Sequence, residues 1–271
     1  MSRRSVVVAL GNLDILPISD GVVKMTAAEL IRPAGNNQNA WDRHPELEQG
    51  KATWELPLGG FLIRTSNRLI LVDAGIGPID NGVFRGGELL NALQVLGVEA
   101  GQITDVLLTH LHFDHIGWVS QRGVPTFPNA TIRCHAQDWQ WFVEGEEADE
   151  HVVRKLSSVL ENVEVFETDC SLTKGVSVRH SPGHTPGSTI VVLSSGAERA
   201  LLLGDVAHCP LELTENDWEG VFDLDPKTAR ATRDRISREL EGGNIMAVGA
   251  HFDELQFGRL MVVDHEKSWQ I

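Results

Sequence analysis

The first part of the chain alternates apolar and polar residues with a period of about two, as β-strands do. Residues 5–23 contain two such segments that meet at Gly11 and Asn12, a pair that favours a tight turn. Residues 60–77 have the pattern of a hairpin whose turn lies at residues 66–67. These patterns predict that the fold begins with a sheet.

Residues 24–60 show no clear period, apart from a short helical pattern at residues 26–31. A segment of this length without periodicity is usually functional or mobile. We interpret it as an insertion, for which three roles stay open: a lid over a site, a homodimer interface, or a surface excursion.

The rest of the chain alternates between helical and strand patterns. The clearest helix pattern covers residues 225–243, with Asp225 as a cap, Pro226 at the start and two glycines at the end. Other helical patterns lie at residues 87–98, 136–145 and 151–163, and short strand patterns at residues 105–110, 175–195, 199–208, 244–251 and 259–265. Two β-rich groups, each followed by helices, predict two packed sheets with helices outside. Without a repeat or a low-complexity linker, we expect residues 1–271 to form a single domain.

Composition narrows the class of protein. A hydrophobic content of 42% and a formal net charge of −15 are typical of a soluble globular protein that repels phosphate backbones, so we expect no nucleic-acid partner. The densest basic run is residues 2–4, and no stretch approaches the about 18 apolar residues of a membrane helix. Cys134, Cys170 and Cys209 lack a CxxC spacing, which is typical of reduced thiols. These features predict a cytoplasmic protein that does not bind membranes.

Residues 109–117, with the sequence THLHFDHIG, concentrate three histidines and an aspartate. If the strand at residues 105–110 continues, His110 and His112 point to one side, while Leu111 and Phe113 face the core. Asp114 and His115 would follow where the strand turns. Because each buried imidazole or carboxylate needs a partner, this density predicts a metal site.

Three further ligand types occupy matching positions along the chain. His184 lies in a Pro- and Gly-rich loop between strand patterns, and Asp205 and His251 each come just after an apolar strand pattern and a small residue. Layered sheets place sites at such strand ends. Each residue alone is weak evidence, but their order after residues 109–117 is specific.

In this order of residues the chain resembles the metallo-β-lactamase superfamily of binuclear metallohydrolases. The resemblance implies an α/β fold, a four-layer αββα sandwich of two mixed sheets. It implies that His110, His112 and His184 bind a first metal ion, that Asp114, His115 and His251 bind a second, and that Asp205 bridges the two. Asp73 would correspond to a structural or supporting aspartate near the ligands.

The resemblance also implies a mechanism. Two divalent ions would lower the pKa of a water molecule that bridges them. Zinc suits the nitrogen-rich ligands best, and Mn, Fe or Co are alternatives. The resulting metal-bridging hydroxide would attack a carbonyl or phosphoryl centre. Asp114 would orient the hydroxide and carry a proton to the leaving group.

Several branches of this superfamily are open, and the residues favour some of them. Asp205 speaks against a true β-lactamase, and the sparse basic residues near the end speak against a glyoxalase II-like thioesterase. Lactonases of the family use a tyrosine three residues after the bridging aspartate, whereas this chain has no tyrosine and carries His208 there. Residues 226–252 nevertheless resemble most closely the lactonase and organophosphate-hydrolase branch of the superfamily. We therefore expect hydrolysis of a small-molecule lactone or ester, with Asp114 and His208 as catalytic residues.

The alternatives are a thioesterase, a phosphotriesterase and an iron-binding oxygen-handling protein, the last disfavoured by His112. His208 could also simply pack at the rim. Trp118 is a candidate apolar wall for an acyl group. In the insertion, Trp41, His44 and Trp54 are further candidates to line a substrate pocket, although Trp54 is more typical of a core residue. The remaining histidines lack such a context and are expected to be structural or exposed: His135, His151, His180 and His265.

Overall fold

A computed structural model describes residues 7–35, 37–47 and 53–271 of the chain. The basic run at residues 2–4 lies outside the described residues. The strands are β1 Val8–Leu10, β2 Leu13–Thr26, β3 Ile31–Pro33, β4 Thr53–Arg64, β5 Leu69–Val72, β6 Ile79–Asp80, β7 Phe84–Gly86, β8 Asp105–Leu107, β9 Ser120–Gln121, β10 Val124–Pro125, β11 Thr131–His135, β12 Val163–Phe166, β13 Cys170–Thr173, β14 Val176–His180, β15 Thr189–Ser195, β16 Glu198–Leu202, β17 Trp218–Gly220, β18 Ile245–Val248, β19 Arg259–Val263 and β20 Glu266–Gln270.

The α-helices are α1 Ala27–Leu30, α2 Leu89–Val95, α3 Ala136–Trp139, α4 Glu150–Leu156, α5 Leu211–Thr214 and α6 Pro226–Leu240. A π-helical turn at Gln140–Glu144 extends α3, and a 3₁₀ turn at Ser157–Asn162 extends α4. The side chain of Asp225 caps α6 at the backbone N–H of Thr228, as its sequence predicts. In the described parts of the chain, no helix combines the length and apolar character needed to cross a bilayer.

Two mixed sheets make up the centre of the fold. The described residues form a nine-stranded sheet in the order β12-β11-β8-β5-β4-β2-β7-β6, with β1 added beside β2, and a five-stranded sheet in the order β13-β14-β15-β16-β18. Strands β5, β8 and β11 run parallel in the first sheet, and β16 and β18 run parallel in the second. Several strands of each sheet therefore end at a common edge.

The first sheet is buried on both faces, and neighbouring residues of its strands enter different cores. Ile15, Ile63 and Ile70 pack with the second sheet, while the adjacent Leu16, Leu62 and Leu71 pack with the helices α2 and α4. Since successive side chains of a strand point to opposite faces, this alternation places the first sheet between the second sheet and a helical layer. Ile236 and Leu240 of α6 belong to the core of the second sheet. The predicted four-layer αββα sandwich is confirmed.

The segment at residues 24–60 differs from the sequence prediction at both ends. Strand β2 continues through it to Thr26, and β4 already begins at Thr53, paired with β2 along its length. The period of two is hidden because consecutive residues of β4, from Leu56 to Ile63, are buried on both faces. The middle of the segment is attached to the body, because β3 pairs with β17 and Trp41 contacts Trp218 edge to face.

The buried carboxylate of Asp20 binds three segments beside the first sheet that are distant from one another in sequence. Asp20 of β2 accepts hydrogen bonds from the backbone N–H groups of Gly77, Gly87 and Leu89 at 2.8, 3.0 and 2.9 Å. It also accepts one from the indole N–H of Trp118 at 2.7 Å. Four donors around one buried carboxylate fix the loop after β5, the start of α2 and the end of the THLHFDHIG loop at one point.

Replacing Asp20 by asparagine should lower the free energy of unfolding by about 1–3 kcal/mol, because an amide group offers one oxygen to donors that now share two. Urea unfolding in the presence of a chelator measures this change without a contribution from bound metal. Asp14→Asn, an exposed aspartate on the same strand, is the matched control. Equal unfolding midpoints for the two variants would contradict the structural role of Asp20.

Candidate metal centre

The THLHFDHIG motif lies in a loop and not on a strand. Strand β8 ends at Leu107, so the prediction that a strand carries His110 and His112 is wrong. The physical reason is that carboxylate side chains, and not a neighbouring strand, accept the backbone hydrogen bonds of this segment. Asp73 accepts one from the N–H of Thr109 at 2.8 Å, and Asp138 accepts one from the N–H of Leu111 at 3.0 Å.

The same loop changes the direction of its side chains. Leu111 is buried as predicted, but Phe113 is 44% exposed and lines a cavity, which contradicts its assignment to the core. The loop ends at Gly117, where a Cβ atom would lie 1.9 Å from the carbonyl carbon of Ile76. Only glycine allows this close contact between the two loops.

Asp73, at the end of β5, supports two residues of the motif. Its Oδ2 lies 3.0 Å from Nδ1 of His115, and the hydroxyl of Thr109 donates to the same oxygen at 2.9 Å. Asp73 has a φ of 60°, in the left-handed region that non-glycine residues rarely adopt. The strand end is therefore held in an unfavourable conformation that directs the carboxylate toward His115.

Asp138 of α3 connects the motif to the loop that carries His184. Besides Leu111, it accepts hydrogen bonds from the hydroxyl of Thr185 at 3.0 Å and from the N–H of Gly187 at 2.6 Å. Asp138 is fully buried, and burial raises the pKa of its carboxyl group to about 6, although these three donors oppose the shift. A single carboxylate thus fixes two ligand-bearing loops relative to each other.

Three imidazole nitrogens meet at one point of the centre. Nδ1 of His112 lies 3.1 Å from Nε2 of His110 and 2.9 Å from Nε2 of His184. Burial lowers the pKa of all three imidazoles, that of His112 to about 3. Burial therefore favours the neutral imidazole, which is the form that binds metals, and the group has the geometry of a metal site.

A second group of three ligand atoms lies beside the first. Oδ2 of Asp114 lies 3.8 Å from Nε2 of His115 and 3.6 Å from Nε2 of His251. Asp205 stands between the two groups: its Oδ2 lies 3.7 and 3.5 Å from His110 and His184, and 3.4 and 3.2 Å from His115 and His251. The structure thus brings together all seven residues for which the sequence predicts metal binding.

Each imidazole except that of His112 has an outward partner for Nδ1, so that Nε2 faces the centre. These partners are Thr109 for His110, Asp73 for His115, Asp223 for His184, Glu212 for His208 and the carbonyl of Pro57 for His251. Outer hydrogen bonds of this kind fix the orientation and the tautomer of metal-binding histidines.

Several polar atoms in the centre are buried without a partner that meets hydrogen-bond geometry among the described residues. They include Nε2 of His115, Nε2 of His208 and Oδ1 of Asp205. Buried polar atoms rarely remain unpaired, because desolvation without a hydrogen bond is costly. Inward nitrogen lone pairs and an unpaired carboxylate oxygen are the donor set that divalent metal ions require, so the residues fit such ions.

His208 lies at the centre, beside Asp205, and has Glu212 as a partner. Its Nε2 is 3.7 Å from Oδ2 of Asp205, and its Nδ1 is 3.3 Å from Oε2 of Glu212, which also accepts its backbone N–H at 2.6 Å. Burial lowers the pKa of His208, but the carboxylates of Glu212 and Asp205 raise it to about 9 overall. The two carboxylates thus favour the protonated form of His208, whose Nε2 lies toward Asp205 at the cavity.

A cavity of about 400 Å³ opens above the centre. Its floor consists of polar residues of the centre, and its walls consist of apolar side chains: Val23, Met25, Leu30, Leu56, Phe84, Phe113, Val221, Phe222 and Leu224. Three of these apolar residues, Met25, Leu30 and Leu56, lie at positions 24–60, so the segment interpreted as an insertion contributes part of the wall. Among the described residues that line the cavity, none is lysine or arginine.

Trp118 and the residues singled out in the insertion do not line this cavity. Trp118 is 8% exposed and binds Asp20, so it is core and not a wall for substrate. Trp41 packs on Trp218, His44 contacts Glu215, and Trp54 packs against the same apolar cluster as Trp41.

The other histidines stay away from the centre as expected. His135 and His180 stack on each other with ring centroids 4.0 Å apart, His151 contacts Arg154, and His265 is exposed. In contrast, the sequence analysis missed four residues that support the centre: Asp138, Glu212, Asp223 and Arg233. The sequence carries a signal for one of these four residues, Arg233, because this arginine falls on the apolar face of the helix pattern that became α6.

Comparison with known proteins agrees with this geometry. The family model described as "Metallo-beta-lactamase superfamily" matches residues 60–251, well over half of the chain. The chain belongs to the metallo-β-lactamase superfamily. The match begins in β4 and ends at His251, and so contains all seven clustered ligand residues.

Individual members of the metallo-β-lactamase superfamily are similar to the chain at moderate identity. An N-acyl homoserine lactonase of Bacillus sp. is 27% identical over 180 residues, which cover 60% of this chain and 68% of that protein. Two solved structures share the fold. The dizinc quorum-quenching lactonase AidC has a TM-score of 0.85 at 24% identity, covering 98% of this chain and 96% of that one. The hydrolase AbOPH has a TM-score of 0.86 at 21% identity, covering 100% and 98%.

Replacing Asp138 by alanine should lower the free energy of unfolding by about 2–3 kcal/mol, because it leaves buried donors of two loops without an acceptor. The measurement is chemical unfolding in the presence of a chelator, since the hydrogen bonds of Asp138 do not involve a metal. Glu146→Ala, an exposed acidic residue shortly after in the chain, serves as the control. If Asp138→Ala unfolds at the same denaturant concentration as Glu146→Ala, Asp138 does not hold the loops together.

Proposed function

We propose that the chain is a metal-dependent hydrolase that opens a lactone or cleaves an ester of a small apolar molecule. The observation that carries this proposal is the position of the centre: two groups of ligand atoms share Asp205 at the floor of an apolar cavity. A substrate that enters the cavity is thereby brought against the polar residues at its floor, where the polar groups of the described lining are concentrated.

The proposed ligands follow the two groups. His110, His112 and His184 would hold one divalent ion, Asp114, His115 and His251 would hold a second, and Asp205, which lies between the two groups, would be available to both. Zinc is the proposed metal, because the donor set is rich in imidazole nitrogen. When bound, such ions supply a water molecule of lowered pKa and polarise a carbonyl oxygen.

Two residues of the chain are proposed to act directly on the substrate. Asp114 lines the cavity as a partly accessible carboxylate, so it can accept a proton from the attacking water and pass it to the leaving oxygen. His208 presents Nε2 to the same space and can donate a hydrogen bond to a substrate oxygen. Glu212 holds the imidazole of His208 in this orientation.

The cavity lining selects among substrate classes. The apolar wall accommodates an acyl or aryl group, and the absence of lysine and arginine from the described lining disfavours phosphate monoesters and glutathione thioesters, which carry negative charges. The similarity to an N-acyl homoserine lactonase of Bacillus sp. supports a lactone as substrate. Phosphotriesters are uncharged as well, and therefore form the second candidate class.

Dimerisation through the segment at residues 24–60 and a cytoplasmic location stay predictions.

The first test is a substrate panel of lactones, aryl esters, thioesters, phosphotriesters and β-lactams, run on zinc-loaded protein with and without a chelator. We expect turnover of lactones or aryl esters that the chelator abolishes and that His112→Ala lowers to background. Elemental analysis of protein prepared without added metal should give about two equivalents of zinc per chain.

Other results of this panel lead to other functions. No lactone or aryl ester turnover above the His112→Ala control contradicts the proposal, and preferred cleavage of phosphotriesters favours the second class. Iron in place of zinc, with consumption of dioxygen, would assign the chain to the oxygen-handling alternative.

The second test concerns His208. His208→Ala should lower kcat about 10²-fold, the effect of removing one donor to a developing oxyanion, with little change in KM and in bound metal. His265→Ala, an exposed histidine, is the control. A loss of metal from His208→Ala would show instead that His208 is a ligand together with His184 and Asp205, which lie within ligand distance of it.

A further inference from the structure

Arg233, in the middle of α6, is a charged residue with only 2% of its surface exposed. Its guanidinium group contacts two carboxylates. Nη2 lies 2.9 Å from Oδ2 of Asp223, and Nη1 lies 3.4 Å from Oε1 of Glu212. Nη1 also donates to the carbonyl of Val206 at 3.3 Å, next to Asp205 in the chain. Arg233 thus bridges two buried anions.

Each of these carboxylates uses another contact to hold an imidazole. Oδ1 of Asp223 lies 3.3 Å from Nδ1 of His184, and Oε2 of Glu212 lies 3.3 Å from Nδ1 of His208. Both imidazoles then direct Nε2 toward the same atom, Oδ2 of Asp205, at 3.5 Å for His184 and 3.7 Å for His208. Two histidine–carboxylate pairs with the same arrangement therefore meet at one guanidinium group.

We propose that Arg233 is a positioning residue that orients His184 and His208 at the same time, one through Asp223 and the other through Glu212. The inference rests on the proposed metal centre, since it assigns His184 to a metal ion and His208 to the substrate. A planar guanidinium group suits this role because its donors form a rigid fork that engages two carboxylates at fixed angles.

The physical reason is the cost of burying charge. Asp223 and Glu212 are buried together, and without a cation between them they would repel each other and seek other donors. Their rotation would release Nδ1 of both imidazoles and so change the direction of both Nε2 atoms. Partners of this kind typically change metal affinity 10–100-fold when they are removed.

The loop that contains Asp223 links this arrangement to the cavity. The N–H of Leu224 donates to the carbonyl of His184 at 3.0 Å, and the N–H of Asp225 donates to that of Gly183 at 2.9 Å. Phe222 and Leu224, on either side of Asp223, line the cavity. These backbone bonds keep the wall in place, so we expect a variant of Arg233 to affect kcat and metal affinity more than KM.

The experiment compares Arg233→Gln and Arg233→Lys with Arg230→Gln. Arg230 lies on the same helix and forms an ion pair with Glu219, so its replacement removes the same charge and the same type of contact away from the centre. Measurements are zinc affinity by competition with a chelator, the absorption spectrum of the cobalt-loaded protein, and kcat and KM on the best substrate of the panel.

We expect Arg233→Gln to lose about 10–100-fold in affinity for one of two zinc ions, to change the cobalt spectrum and to lose kcat with little change in KM. Arg233→Lys should recover part of each loss, because it keeps the charge but not the fork. Arg230→Gln should behave like the parent protein. Wild-type zinc affinity and cobalt spectrum in folded Arg233→Gln, or losses no larger than those of Arg230→Gln, would overturn the proposal.

The two arms can be tested separately, which also decides the case in which Arg233→Gln does not fold. Asp223→Asn should reproduce the loss of zinc affinity, and Glu212→Gln should reproduce the loss of kcat with zinc affinity unchanged. In the Arg233→Lys background, each carboxylate variant should cost less than it does alone, because the residues act as one unit. Full additivity, or wild-type behaviour of both carboxylate variants, would overturn the proposal.

One readout separates this inference from the proposed function. Long-range ¹H–¹⁵N NMR spectra of the metal-free protein report which nitrogen of each imidazole carries its proton, and need neither metal nor substrate. We expect Nδ1 of His184 to be protonated in the parent protein, and its signal to change in Arg233→Lys and Asp223→Asn. An unchanged signal in both variants overturns the role of Arg233, whereas a protein that binds zinc but turns over nothing in the panel contradicts only the proposed function.

Discussion

The structure is organised around a cluster of six imidazoles, five of which contact the buried carboxylate of Asp205. Nitrogen atoms of His110, His115, His184 and His251 lie 3.2–3.7 Å from one oxygen of Asp205, and His208 adds a fifth contact at 3.7 Å. His112 reaches the group through the nitrogen atoms of His110 and His184. Such a cluster is unfavourable in an apolar interior unless each group is held in place or neutralised. Much of the surrounding structure supplies that support.

The support comes from carboxylates that each connect two parts of the chain. Asp73 joins the end of β5 to the motif, and Asp138 joins the motif to the loop of His184. Asp20 joins β2 of the first sheet to the start of α2. On the opposite side, Arg233 joins Asp223 and Glu212. The ligand-bearing loops have little regular structure, so these side-chain bonds take over the role that strand pairing has elsewhere in the fold.

The cavity complements this polar floor with apolar walls from several elements. The paired strands β2 and β4, the motif loop and the loop before α6 each contribute to it. Phe84 and Phe113 contact each other edge to face at its rim, with ring centroids 5.4 Å apart. The polar floor and the apolar walls thus come from different parts of the chain, and under the proposed function the first would orient the reacting group and the second would bind its substituent. Either can therefore change without the other, which is how one fold serves several substrates.

The sequence by itself indicated which residues would gather at one centre and in which layers the chain is arranged. Metal ligands must be of a few residue types, and in this fold they follow apolar strand patterns, so His184, Asp205 and His251 could be recognised from residue type and position. Only the tertiary structure decided that the motif is a loop, that Phe113 faces the cavity, and that Trp118 is core.

The tertiary structure also decided which groups support the ligands. Asp138, Glu212, Asp223 and Arg233 obey no spacing rule, because an acceptor for a backbone N–H or an imidazole can come from any element that packs nearby. A ligand must present a particular atom to the centre, so its residue type is restricted. A supporting group only needs to lie within hydrogen-bond distance of the ligand, and that distance depends on packing, which the order of residues does not show.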